Sequence, residues 1–173
     1  MDRLDRIEAC RFLGREFLAY LWFESERSEG AMPGEGERGQ LWLEESLTLE
    51  GSTLIEKTKS VLTGSTPSLG PEAKEALRQG KLPTKAKIRL DVGTESYAFV
   101  FDADAFGLSS VKIPALVTEE EDETLYERMR LVERLEDRLG AIYEAFLRLR
   151  TSPKWEAEVL PAMRAWVKAE PWT

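Results

Sequence analysis

The chain has 173 residues, with 12 Gly, 8 Pro and a single Cys; it is 42% apolar and 32% charged and carries a net charge of −8. That composition fits one globular domain or two small ones, and it excludes collagen, low-complexity disorder and a disulfide scaffold. The lone thiol, Cys10, has no partner in the chain, and the longest apolar run, residues 17–23, falls short of the roughly 20 residues a membrane span needs, so the expectation is a cytoplasmic protein that neither enters a membrane nor is exported.

Residues 3–27 read as a helix, with Leu4, Ile7, Cys10, Phe17 and Leu21 near one face and no proline. In its second half Phe17, Leu18, Tyr20, Leu21, Trp22 and Phe23 surround the axis, which predicts deep burial or cover by a second subunit. Residues 28–39, rich in Gly, predict a surface loop. From Leu41 the period changes to two: Leu41, Leu43, Leu47 and Leu49 on one side, Trp42, Glu44, Ser46 and Thr48 on the other, the pattern of a strand. Gly51-Ser52 suggests a two-residue turn into a second strand near residues 53–60. Pro71 and Gly80 bracket a short helix with Ala73, Ala76 and Leu77 inward.

The clearest local signal is a hairpin over 84–101 turning at Gly93-Thr94 as a type II′ loop. Pairing Val92 with Glu95 sets Leu90 against Tyr97, Ile88 against Phe99 and Ala86 against Phe101 on one face, and Arg89, Lys87 and Lys85 against Ala98, Val100 and Asp102 on the other. Residues 108–113 read as an edge strand stopped by Pro114. An acidic run, Glu119 to Glu123, precedes a helix over 124–150, for which Thr124 and Glu127 form a candidate capping box. Its apolar positions, Leu125, Met129, Val132, Leu135, Leu139, Ile142, Phe146 and Leu149, make a near-heptad seam with one skip, facing either the N-terminal helix or the same helix of a second subunit. A last helix puts Trp155, Val159, Met163 and Trp166 on one side, with Pro161 kinking or splitting it. The sum is a single α+β domain over 1–173: an antiparallel sheet of about four strands with the long N- and C-terminal helices packed on one face.

The absence of histidine removes Ser-His and Cys-His nucleophile pairs and His metal sites; the sequence also has no Gly-rich dinucleotide fingerprint and no phosphate loop. No enzyme activity, cofactor or metal is expected. Asp91, Asp102 and Asp104 lie near strand ends where carboxylates can hold a divalent cation, but Asp102 faces Lys85 and Asp91 leads into a turn, both ordinary carboxylate positions. Of the five tryptophans, Trp42, opposite the leucine face of its strand, is the one placed for exposure and for stacking on a base.

Charge is uneven. Residues 51–90 hold eight cations, Lys57, Lys59, Lys74, Arg78, Lys81, Lys85, Lys87 and Arg89, against three acids, a net +5 that leaves −13 on the other 133 residues. Cations on one side of a sheet can neutralise phosphates and release counterions; the same lysines can equally be solvated guards of a sheet edge. The sequence shows no recognition-helix pattern, so sequence-specific readout is not expected.

The segments LIEKTKSVLTG, GPEAKEALRQGK, LPTKAKIRLDV and SYAFVFDADAF, followed by a helix-rich tail, resemble the C-terminal half of the bacterial recombination-associated protein RdgC family, and FLGREFLAYLWFESE is similar to a segment of its divergent relatives. The resemblance spans about residues 10 to 150. It implies a nucleoid-associated, homodimeric protein that binds duplex DNA with little sequence preference and restrains a RecA-type recombinase, with the eight cations above as the phosphate-facing set. The chain lacks roughly the N-terminal half of the family's length, so closure of the family's ring is not among these expectations. A protein-interaction or assembly module without DNA binding is the alternative expectation, its apolar helices docking a partner or a second copy.

Overall fold

The computed structural model describes residues 3–31, 39–52 and 56–169, and the side chains of all of these except 3–12 and 52. In chain order the elements are α1 (Arg3–Arg27), β1 (Gly39–Ser52), β2 (Lys57–Thr63), α2 (Pro71–Arg78), β3 (Leu82–Val92), β4 (Glu95–Asp102), β5 (Gly107–Lys112), α3 (Glu121–Arg150) and α4 (Leu160–Lys168). The strands form one antiparallel sheet of five, ordered β2-β1-β3-β4-β5. Among the described residues no helix is long and apolar enough to cross a membrane.

Alternation along the strands decides which face is core. Leu41, Leu43, Leu47 and Leu49 of β1, Ala86, Ile88 and Leu90 of β3, and Tyr97, Phe99 and Phe101 of β4 are all buried and point to the helices. The β3–β4 hairpin has the predicted register at every pair, Val92 with Glu95 through Lys85 with Asp102. Gly93 has φ +59 while Thr94 is not among the positive-φ residues, the arrangement of a type II′ turn and not of type I′.

The apolar half of α1 is covered within the chain: Phe17, Leu18, Leu21, Trp22 and Phe23 are each at most 3% exposed. The sheet lies on one side, and α3 and α4 close the other. Phe17 meets Phe101, Tyr143 and Phe146 at ring distances of 5.9, 5.0 and 5.2 Å, and Tyr20 meets Phe146 and Trp155 at 5.3 and 5.9 Å. Rings at such separations attract beyond their burial, and Phe17 meets Phe101 and Tyr143 edge to face. Gly14 lets α1 come this close: a Cβ there would stand 2.0 Å from the carbonyl oxygen of Ala103.

Three local expectations are corrected. Gly51 and Ser52 do not turn; they pair with Thr58 and Lys57, so the ladder runs on and the second strand starts at Lys57. Thr124 and Glu127 make no capping box, because α3 begins at Glu121 and the Glu127 carboxylate instead accepts the N–H groups of Val117, at 2.8 Å, and Thr118, at 3.1 Å. The apolar seam of α3 is only half buried. Leu135, Ile142 and Phe146 face the core, whereas Leu125 is 60% and Met129 52% exposed. The skip explains this: the six residues from Met129 to Leu135 turn the helix by ~600°, which leaves Leu135 ~120° round from Met129.

The last helix runs unbroken over residues 153–168 and is widened, not split, ahead of Pro161. Residues Trp155–Val159 form a π-helical turn whose closing bond runs from the Leu160 N–H to the Trp155 carbonyl. Proline has no N–H to continue an α-ladder, and the wider turn accommodates that while burying Trp155 against Phe146. Of the expected 28–39 loop, residues 32–38 lie outside the described residues; 28–31 lie against β1, with the Gly30 carbonyl accepting from the Leu41 N–H at 2.6 Å.

Candidate nucleic-acid interface

The face of the sheet opposite the helices carries the charges. On β3, Lys85, Lys87 and Arg89 occupy alternate positions, about 6.6 Å apart along the strand. Lys59 and Lys57 extend this face on β2, opposite Glu50 and Ser52 of β1. On β5, Lys112 pairs with Ala98, itself the partner of Arg89, and so belongs to the same surface. Five of the eight sequence-predicted residues thus share one face.

The other three do not join it as free cations. Lys74, on α2, is buried on the helical side of the sheet; its ammonium lies 3.1 Å from Glu26 and 5.2 Å from the ring of Trp166. Arg78 caps α4, donating through Nε to the Val167 carbonyl at 3.0 Å and through Nη2 to the Ala169 carbonyl at 3.0 Å. Lys81 donates to Ser60 Oγ at 2.8 Å.

Most of the cations on the open face stand beside a carboxylate. Lys85 is 2.8 Å from Asp102, Lys59 3.6 Å from Glu50, and Arg89 2.9 Å from Asp91 and 3.7 Å from Glu44; Lys87 is hydrogen bonded to Glu45. The hydrogen bond with Asp102 holds the Lys85 ammonium above its ordinary pKa, and that with Asp91 raises the Arg89 guanidinium. In the same way Lys87 holds the Glu45 carboxyl below its usual range, with Lys112 adding a smaller pull. Glu45 reaches Lys87 because it sits in a bulge of β1 with φ +55, between the pairs Glu44–Lys87 and Leu47–Ala86. The sequence window that exposed the basic excess contained neither this acid nor Lys112. Lys112 was discoverable from the predicted edge strand, while Glu45 required the bulge.

The three aspartates considered for a cation are engaged otherwise. Asp91 accepts from Arg89 and from Ser96 Oγ, Asp102 accepts the N–H groups of Asp104 and Ala105, and Asp104 is held by Arg15. Among the described residues no group of three or more Cys, Asp or Glu side chains is arranged to hold a metal ion.

Trp42 lies on the open face opposite Arg89 and is half-buried, its ring so close to Gly30 that a Cβ there would stand 2.4 Å away. Trp22 and Trp155 are buried in the core; Trp172 lies outside the described residues. A cleft of about 1000 Å³ runs from Trp42, Arg89 and Asp91 past Leu43 to Lys74 and Trp166. Compared with models of known protein families and with curated proteins, the chain matches none.

Proposed function

We propose that this chain is a non-enzymatic, sequence-independent DNA-binding protein of RdgC-like type that modulates recombination in the bacterial nucleoid. The observation that carries the reading is the alignment of Lys85, Lys87 and Arg89 with Lys57, Lys59 and Lys112 on one helix-free sheet face. Exposed ion pairs contribute only about 0–1 kcal/mol each, so a phosphate can displace the carboxylate from each cation at little cost. Five acids on the same face, Glu44, Glu45, Glu50, Asp91 and Asp102, keep its net charge low, and the affinity expected is modest. Trp42 beside Arg89 supplies a ring on which an unpaired base can stack.

Fluorescence anisotropy of labelled duplex and single-stranded DNA, titrated with the protein from about 50 to about 200 mM salt, tests this. The expected result is an affinity that falls by a log-log slope of several units. Flat anisotropy at the lowest salt overturns it.

A second reading, an assembly module, is favoured by a different observation. Val117, Leu125, Tyr126 and Met129 leave a cluster of large apolar side chains exposed at the start of α3.

A further inference from the structure

The start of α3 is charged in a pattern that matches itself. Glu121 and Arg128 stand seven residues apart on one flank of the exposed Leu125, Tyr126 and Met129; Glu123 and Arg130, again seven apart, stand on the other. Seven residues are close to two helical turns, so each acid lies almost directly above its arginine. Among the described residues Glu121, Arg128 and Arg130 form no ion pair, although Arg134, Arg138 and Arg150 farther along the helix all do. The core has already used the other half of the seam, since Leu135, Ile142 and Phe146 are buried in it, Phe146 against Phe17 and Tyr20 of α1.

We propose that the first three turns of α3 pair antiparallel with the same turns of a second copy of this chain. A two-fold axis beside Leu125 and Tyr126 places Glu121 of each copy against Arg128 of the other on one flank, and Glu123 against Arg130 on the other. Four ion pairs then border a core of Leu125, Tyr126 and Met129 from both copies, with the exposed Asp122, which shares that stripe three residues before Leu125, at each end of it. Parallel pairing would set like charges against like on both flanks, so the charge order selects the antiparallel arrangement. The surface is short, below the size of a permanent dimer interface, and the association is therefore weak and reversible. This deepens the assembly reading and holds whether or not the sheet binds DNA.

The test is a charge exchange on the full chain, followed by sedimentation equilibrium from about 5 to about 500 μM, concentrations that span weak association. One variant carries Arg128→Glu and Arg130→Glu, the other Glu121→Arg and Glu123→Arg; all four side chains are exposed, but the two acids lie in the first turn of α3, where the helix dipole favours them and Glu123 accepts from Thr118 Oγ at 3.2 Å, so the first variant should keep its circular dichroism while the second should lose a little helix there. Each variant alone should show a dimer dissociation constant raised roughly tenfold or more, and their equimolar mixture should recover dimers, because every flank is again complementary. Dimers that persist undiminished in both variants would place the interface elsewhere and overturn the proposal while keeping assembly. A wild-type chain that is monomeric throughout would overturn both this interface and self-assembly.

Discussion

Arg15 holds Asp104 through two parallel contacts, Nε to Oδ1 at 2.5 Å and Nη2 to Oδ2 at 2.7 Å, across 89 residues of sequence. The pair fixes α1 to the end of β4, and Gly14 beside it meets Ala103. Alanine is a better helix former than glycine by about 1 kcal/mol, so position 14 taken alone would gain from the change. The close approach predicts the reverse: Gly14→Ala should lose ~2–4 kcal/mol in urea unfolding, and a stabilised variant would contradict the contact. Arg15→Ala should cost only about 1 kcal/mol, because the pair is one-third open to solvent and screened.

Glu26 gathers three donors: Trp22 Nε1 on one oxygen at 2.7 Å, and on the other Trp166 Nε1 at 2.7 Å with Lys74 Nζ at 3.1 Å. Removing the carboxylate strands a buried ammonium, so Glu26→Ala should destabilise by ~3–5 kcal/mol. Lys74→Met, which removes the charge and keeps the packing against Trp166, should cost much less. Chemical denaturation followed by tryptophan fluorescence reads both, and equal losses would show that the pair is not the source.

At the hairpin turn Glu95 is tied to α3 by Arg138 at 2.6 Å and by Arg134, with the Tyr97 hydroxyl at 3.1 Å. Burial favours the neutral acid, but hydrogen bonds from Arg138 and Tyr97 and the two arginine charges outweigh it and hold the carboxyl below the usual glutamate range. A carboxyl with a depressed folded-state pKa contributes fully above its unfolded value and loses that contribution as pH falls through the folded one. Glu95→Gln should therefore cost about 1 kcal/mol near pH 7, and the gap from wild type should close below the ordinary carboxylate range. A gap that stays constant from pH 7 down to about pH 2 would rule this out.

If phosphates compete with carboxylates for the open-face cations, removing the competitors should help. Glu44→Gln, Glu45→Gln and Asp102→Asn together should tighten DNA binding several-fold and steepen its salt dependence. Reversing Lys85, Lys87 and Arg89 to Glu should abolish binding without unfolding the chain. An acid-neutralised variant with unchanged affinity would remove these cations from any DNA contact.

The hairpin was readable because its information is local. Gly93-Thr94 fixes the turn, the turn fixes the register, and alternation fixes the faces. The elements of α1 and α2 were readable for the same reason, α1 as a long run with no proline and α2 through the Pro and Gly that bracket it. Where two local bonds compete, the sequence is silent: Glu127 suits a capping box with Thr124, yet the unpaired N–H groups of Val117 and Thr118 claim it. The charge window likewise found the cations but not their faces. Lys74 and Lys85 are both lysines in the same basic stretch, and only the packing of α2 on α4 sends one into the interior while the strand sends the other to water.

The phase slip in α3 has a consequence for how this chain tolerates changes in length. One residue inserted between Met129 and Leu135 would widen their spacing from six to seven and reduce the angle between them from ~120° to ~20°. Leu125 and Met129 would then swing toward the core side, and the flanking charges would turn with them. A single codon therefore separates a helix that keeps its apolar residues to itself from one that offers them to a neighbour.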